Sequence, residues 1–385
     1  MTRRRDPATI VAAARPDFDH GFGSVAPPLW TSDTFRWTNS DEKPEFDYSR
    51  TVNPNRTLLA EALAELEGAS GGVITNSGQS AALLALLRLP LGARVVAPHD
   101  CYGGTFRLLD AFARQGRIRC EFLDLTDHEA LAAVLAGGVD LLWIETPSNP
   151  LLRITDIRKC AGLAKAQGAL VIADNTLPTP VRQKPLDLGC DLVMHSTTKA
   201  LNGHSDLFGG ALLVKDAALL EELIWWSNAA GLNGSAYDAS QTLRGLRTLP
   251  LRIDRQEATA GKLAEWLVAH PQVQSVHYPG LVSHPGHTLA AEQQSGPGFV
   301  LSFQLKGGKA AADEFVAALK LITLASSLGG FATLICTPAT MTHRGMPPVD
   351  QERAGIHPDL LRLSVGLEDA ADLQSDLERG FAARP

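Results

Sequence analysis

Lys199 is the residue best placed to do chemistry. It is the single cation of the polar stretch "MHSTTKALNGHSD" (194–206), with Ser196, Thr197 and Thr198 just before it, directly after the apolar run "CDLVM". Three further stretches join an apolar run to groups that bind or react. "ALVIADNT" ends in Asp174, a carboxylate delivered by a buried strand. "GGVITNSGQSAALL" turns from strand to helix at Ser77, Gly78 and Gln79. Free backbone N–H groups and a positive dipole end make such a turn an anion site. "ARVVAPHDCYGGT" ends near Tyr102, with Gly103 and Gly104 letting the chain turn tightly.

Each feature alone has an ordinary reading. A lone lysine after a strand is a solvated loop residue, "DNT" a turn or cap, "SGQS" a helix start, and Tyr102 a half-buried packing residue. Together they supply an amine, a buried carboxylate, an anion cradle and a flat ring. Pyridoxal 5′-phosphate (PLP) needs that set: an amine to condense with its aldehyde, a carboxylate opposite the ring nitrogen, a phosphate site and a stacking partner. In this reading Lys199 is the amine, desolvated so that it loses its proton readily. Asp174 keeps the ring nitrogen protonated, Tyr102 stacks, and Ser77, Gly78, Gln79, Ser196 and Thr198 hold the phosphate. His195 and His204 have no acidic or thiol partner at ligand spacing, so no metal site is read.

The elements that must position these residues form an α/β pattern. Between residues 72 and 215 the strand candidates are "GGVIT", "ARVVAPH", "IRCEFLDL", "VDLLWIET", "ALVIAD", "CDLVMHS" and "GGALLVK". Helical stretches such as "QSAALLALLRL", "GTFRLLDAFARQG" and "DIRKCAGLAKAQG" separate several of them. Apolar strands alternating with helices predict a mostly parallel sheet covered on both faces, with ligands bound beyond the carboxyl ends of its strands. Helical segments follow at "EELIWWSNAAG" and "RQEATAGKLAEWLVAHP", and the tail ("SVHYPG", "GFVLSFQL", "LLRLSVG", "ADLQSDLERGFA") reads as a smaller α+β domain. The division expected is an irregular arm over 1–55, an α/β domain over 56–250 and a C-terminal α+β domain over 251–385.

Bulk properties narrow the function classes. The chain has 385 residues, 45% hydrophobic and 20% charged, with a formal net charge of −7. That mild acidity argues against nucleic acid or anionic membrane as a general partner. No apolar run of about 18 residues is present to span a membrane. "RRR" near the start lacks the apolar segment of a secretory signal and reads as a short basic tail. Five scattered cysteines without a CxxC pair fit reduced thiols in a cytoplasmic protein.

A wider set of motifs carries a resemblance. "YSRTVNP", "HDCYGGT", "ETPSNP", "ADNT", "HSTTKALNGHSD", "LRGLRTL", "PATMTHRGM" and "LRLSVGLED" occur in order from residue 48 onward. The chain thereby resembles the cysteine and methionine metabolism family of PLP enzymes, and within it the cystathionine γ-synthase branch. The resemblance implies a fold-type-I, aminotransferase-like fold and a homotetramer of two dimers, each site built from two subunits. It assigns catalysis to Lys199, Tyr102 and Tyr48. Tyr48 and Arg50 would reach the phosphate from the neighbouring subunit, giving the arm a purpose. Asn149 and Thr176 join the cofactor-binding set. Arg362 would clamp the substrate α-carboxylate, a bidentate role suited to arginine, with Ser327, Asn149 and Arg107 also meeting the amino acid substrate. The implied reaction is γ-replacement on an O-acyl-L-homoserine, the succinyl ester first, with cysteine to give cystathionine.

Some positions depart from the family pattern. Ser326 stands where synthases and γ-lyases usually carry a glutamate, Ala332 where a second is common, Thr51 where a second arginine is found, and Asn55 where "NPT" has threonine. Losing a carboxylate expected to meet the amino group of the thiol partner keeps three alternatives open: cystathionine γ-lyase, methionine γ-lyase and O-succinylhomoserine sulfhydrylase. A catalytically silent binding protein of the same fold is the reading from another class, opposed by the intact Lys199, Asp174, Tyr102 and Arg362.

Overall fold

The computed structural model describes residues 5–14, 21 and 23–383. The basic tail lies largely outside the described residues; its Arg5 pairs with Glu65 at 2.5 Å.

Seven strands form the large sheet: β1 (Gly71–Thr75), β2 (Ala93–Pro98), β3 (Ile118–Leu123), β4 (Leu141–Glu145), β5 (Leu170–Asp174), β6 (Leu192–His195) and β7 (Gly210–Val214). Their order is β1-β7-β6-β5-β4-β2-β3. Only β7 runs against its neighbours β1 and β6; the remaining pairings are parallel. Side-chain alternation explains why the inner strands are largely apolar, while the edge strand β3 carries Arg119 and Glu121. Leu141 and Trp143 of β4 pack on one face with the helix Gly78–Leu87, whereas Leu142 and Ile144 pack on the other with the helix Ile157–Lys165. Each inner strand therefore buries both faces.

The second sheet contains β8 (Val273–His277), β9 (Val300–Leu305), β10 (Thr323–Leu324), β11 (Leu334–Cys336) and β12 (Leu360–Ser364), in the order β10-β11-β12-β9-β8. Helices Gly308–Ala318 and Ala370–Ala382 cover it, and Phe303, Phe315 and Phe381 fill its core. The 21-residue helix Leu249–Ala269 belongs to both bodies. Leu249 and Ile253 pack with Leu58 and Leu201, while Ala260, Leu263 and Leu267 pack with Phe303 and Phe315. The boundary expected between residues 250 and 251 thus falls inside one helix.

The arm is less irregular than its composition suggests. A six-residue helix, Pro7–Ala12, starts at Asp6, whose carboxylate accepts the Ala8 N–H, and buries Ile10 and Val11. Two turns are too short to show a helical period in sequence. Buried Asn55 ties the arm down by accepting the Trp30 N–H (2.9 Å) and donating to the Pro28 carbonyl (2.9 Å).

Candidate active site

The carboxyl ends of β1, β2, β4, β5 and β6 lead into Ser77, Tyr102, Asn149, Thr176 and Lys199, at one edge of the sheet. After β6 the chain makes a tight turn. The Lys199 N–H donates to the Ser196 carbonyl (3.2 Å), and the Gly203 N–H to the Lys199 carbonyl (2.8 Å). The Thr198 hydroxyl pins the turn to Gly209, donating to its carbonyl (3.2 Å) and accepting its N–H (3.0 Å). Lys199 Nζ then donates to Ser327 Oγ at 2.9 Å.

Ser327 has φ 91°, in the left-handed region that residues with a Cβ rarely adopt. That backbone serves two partners at once. Its hydroxyl meets Lys199, and its carbonyl accepts from Arg362 Nη2 at 2.7 Å. Arg362, on β12, also donates from Nη1 to Asn149 Oδ1 at 2.9 Å, and its Nε is buried without a partner. One hydrogen-bonded line therefore joins Lys199 to the loop after β4 across both sheets. Burial, and secondly the Arg362 cation, lower the Lys199 amine from 10.5 to about 8, against the pull of Asp174. An appreciable fraction is thus the free, nucleophilic amine near neutrality.

Asp174 ends β5 and Glu145 ends β4, paired in register and both buried. Burial pushes the Asp174 carboxyl up, and its bonds from Thr176 and the charges of His195 and Lys199 draw it back. Burial and then the Asp174 charge push Glu145 well up. Two carboxyls abreast in a dry site, raised on balance despite these cations, would gain from the further positive charge of a protonated ring nitrogen. Glu145 also acts on the backbone. Its Oε2 accepts the Tyr102 N–H at 2.8 Å, fixing the start of the helix Gly103–Arg114.

The anion cradle lies opposite. Ser77 caps the helix Gly78–Leu87 by accepting the Ser80 N–H (3.1 Å), leaving the amides of Gly78 and Gln79 ahead of the first intrahelical bond. A Cβ on Gly78 would lie 2.8 Å from Ser196 Cβ, so glycine lets the helix start touch the loop that carries Ser196 and Thr198. A Cβ on Gly104 would come within 2.5 Å of the Tyr102 ring and 2.8 Å of Gln79 Nε2. The amine, paired carboxyls, amide cradle and ring fit PLP.

These residues line a cavity of about 530 Å³. Ser77, Gly78, Gln79, Tyr102, Arg107, Asn149, Asp174, Thr176, Ser196, Thr198, Lys199, Ser327 and Arg362 all border it, with Arg107 exposed at the mouth. Tyr48 and Arg50 do not. Tyr48 is 44% exposed beneath the Arg50 guanidinium, and Arg50 donates to the Asn228 carbonyl (2.9 Å) and Oδ1 (2.7 Å). Ser326 stands exposed on the cavity wall, whereas Ala332 is not part of it. Sequence reasoning missed Glu145, Phe208, Met341 and Thr342, which also line the cavity. Glu145 carried the same signal as Asp174, an apolar strand ending in a carboxylate. His195 is spoken for by Glu67 (2.7 Å), and among the described residues no group of three or more His, Cys, Asp or Glu is placed to hold a metal ion.

Comparison with known proteins places this geometry. A family model described as "Cys/Met metabolism PLP-dependent enzyme" matches residues 8–382. Cystathionine γ-synthase of Escherichia coli (strain K12) is 46% identical over 384 residues, covering 100% of this chain and 99% of its own. A cystathionine β-lyase of Bacillus subtilis (strain 168) is 42% identical, over 94% of this chain and 93% of its own. Among solved structures, cystathionine γ-synthase from Xanthomonas oryzae pv. oryzae in complex with cystathionine matches with TM-score 0.98 and 50% identity, covering 99% of both chains.

Proposed function

The chain belongs to the Cys/Met metabolism family of PLP-dependent enzymes, and we propose that within it the protein performs γ-replacement: O-succinyl-L-homoserine and cysteine give cystathionine and succinate. The observation that carries the reading is a single cavity holding a lysine lowered to about 8, a buried Arg362 and an exposed Arg107. A substrate with a carboxylate at each end suits a guanidinium at the base and another at the mouth.

When bound, PLP supplies the electron sink that makes the substrate Cα proton removable. Asp174 would face the ring nitrogen, Tyr102 would lie against the ring, and the Gly78 and Gln79 amides with Ser77, Ser196 and Thr198 would hold the phosphate. Thr176 orients Asp174 by donating its N–H to Oδ1 (3.0 Å). Arg362 grips the α-carboxylate, held in aim by Asn149 and the Ser327 carbonyl. Lys199, as the free amine, would take the proton from Cα at Nζ and, after giving that proton up, one from Cβ; its value near 8 suits a base at neutral pH. The Cγ–O bond breaks, succinate leaves with that electron pair, and the cysteine thiolate forms the S–Cγ bond as the protons return to carbon. Arg107 meets the succinyl carboxylate at the mouth.

Tyr48 and Arg50 complete the phosphate site of a neighbouring subunit in a tetramer of paired dimers. Their place on the arm outside the cavity of their own chain, and the exposed Trp225 and Tyr237, support that assembly. Among the described residues no helix is long and apolar enough to cross a membrane, and all five cysteines are free thiols, which supports a cytoplasmic setting.

Ser326 favours one second reading. With a hydroxyl on the wall in place of a carboxylate, the pocket offers the amino group of cysteine no anion at that point, and sulfide would need none. Product analysis with O-succinylhomoserine decides. Cystathionine as the dominant product with cysteine supports the synthase. Homocysteine from sulfide with little cystathionine makes the protein a sulfhydrylase. Only 2-oxobutyrate, with or without a thiol, makes it a lyase.

A further inference from the structure

A histidine–glutamate pair with no role in the steps above lies buried behind Asp174. His195 Nε2 and Glu67 Oε1 are 2.7 Å apart, and both side chains are wholly inaccessible to solvent. Glu67 closes the helix Pro54–Glu67, and His195 closes β6. Asn175 Nδ2, a group that can only donate, also bonds Glu67 Oε1 at 2.7 Å. A carboxylate accepting from both is the arrangement that satisfies all three, so His195 Nε2 carries its hydrogen and donates. Gln183 braces the group, donating from Nε2 to Asn175 Oδ1 (3.0 Å) and to the Thr146 carbonyl (3.0 Å). Glu67 Oε2 and His195 Nδ1 have no partner.

Such a buried polar pair is a poor device for stability, because desolvating it offsets the attraction between its partners and apolar residues of similar volume serve as well. Its position suggests another use. Asp174 pairs with Met194 in the β5–β6 register, the Asn175 N–H donates to the Met194 carbonyl (2.9 Å), and His195 follows one residue on. The titratable groups that influence Asp174 are Glu145 from β4 and Lys199 from the loop after β6 in the cavity, and His195 from the other face of β6, which pulls its carboxyl down. Beyond His195 stand Glu67, the nearby Cys190, and Lys184, which bonds the Leu66 carbonyl.

We propose that Glu67 and His195 are positioning residues for Asp174: the pair fixes the strand end that carries this carboxylate, and with it the aim of Asp174 at the ring nitrogen that PLP would present. The inference rests on Asp174 as the partner of that nitrogen. Both residues act through Asp174 and neither borders the cavity.

The test uses full-length protein in three variants: Glu67→Gln, the double variant Glu67→Leu/His195→Leu, and Asp174→Asn. Three quantities are read: the melting temperature of the apoprotein, the dissociation constant for PLP, and the midpoint of the pH titration of the visible band of the bound cofactor. For Glu67→Gln and the double variant the expected result is a melting temperature near wild type, with a dissociation constant raised at least about tenfold and a midpoint moved by about half a pH unit or more. Asp174→Asn should move both further. An unmoved midpoint and an unchanged dissociation constant in the first two variants, with Asp174→Asn shifted, overturn the pair and leave Asp174 in its role. Indifference of Asp174→Asn as well overturns that role and the inference with it. A lowered melting temperature with cofactor properties intact, or failure of both Glu67 variants to fold, makes the pair a core element and also overturns the proposal.

Discussion

Lys199→Met should stabilise the apoprotein while abolishing cofactor attachment. The amine is lowered from 10.5 to about 8, burial first and Arg362 second. That gap corresponds to roughly 3 kcal/mol by which the folded apoprotein disfavours the protonated amine. The sign follows from proton counting. Between pH 8 and 10.5 the unfolded chain holds a proton that the folded chain has lost, so wild-type stability rises with pH across that window. Below 8 the whole cost is present, and above 10.5 it has gone. Methionine cannot titrate. Its loss of the hydrogen bond to Ser327, about 1 kcal/mol, is nearly the same at every pH. Urea unfolding of the two apoproteins at equal concentration should therefore show the variant gaining at pH 7, with its advantage shrinking by about 3 kcal/mol toward pH 10.5. A difference between the two proteins that does not change with pH would refute the claim that Lys199 is held in a site hostile to its charged form.

Arg362→Lys keeps a cation but cannot hold Asn149 Oδ1 and the Ser327 carbonyl together. The expected outcome is a KM for the amino acid substrate raised by about 10- to 100-fold with the visible cofactor band retained, checked by steady-state kinetics and absorbance. Gly78→Ala puts a methyl 2.8 Å from Ser196 Cβ. It should weaken PLP binding by roughly tenfold or more in a cofactor titration, with little change in apoprotein melting, since the collision is at the cradle and not in the core. Asp376 accepts N–H groups from Lys320, Leu321 and Ile322. Burial would raise its carboxyl, but those bonds and Arg379 outweigh it and hold it below the usual value. Its contribution is therefore present above the unfolded carboxylate value near 4 and lost as pH falls through the folded one. Asp376→Asn should cost about 1–3 kcal/mol in urea unfolding at pH 7, and the gap should narrow at about pH 3. A gap independent of pH would mean the carboxylate charge does not matter there.

The large sheet was legible because most of its strands are apolar runs bounded by turn residues, and β1 to β7 all fall within the strand candidates read from the sequence. Strands β10 and β11, two and three residues long, are too short to show a period and depend on pairing across the sheet. In the site, residues at the ends of long apolar strands could be found one by one, as Asp174 and Lys199 were. Ser327 was named only through the family resemblance, since its left-handed backbone leaves no mark in the letters "SSLGG".

Glu67 is the more instructive omission, because the signal was present. Its helix buries Leu59, Leu63 and Leu66, and Glu67 follows Leu59 and Leu63 at steps of one turn. Glu61 and Glu65, the other acids of the segment, are exposed and half-buried. An acid on the solvent face of a helix is ordinary, whereas an acid in phase with the leucines must be buried on folding. It then requires either a partner or a proton. Helical phase alone therefore singles out Glu67 as a charge demanding an explanation, and β-strand alternation puts His195 on the face of β6 opposite Met194, which borders the cavity. The sequence could not show that these two faces meet, because 128 residues separate the partners. That juxtaposition, made by the fold, turns two ordinary letters into a pair behind Asp174.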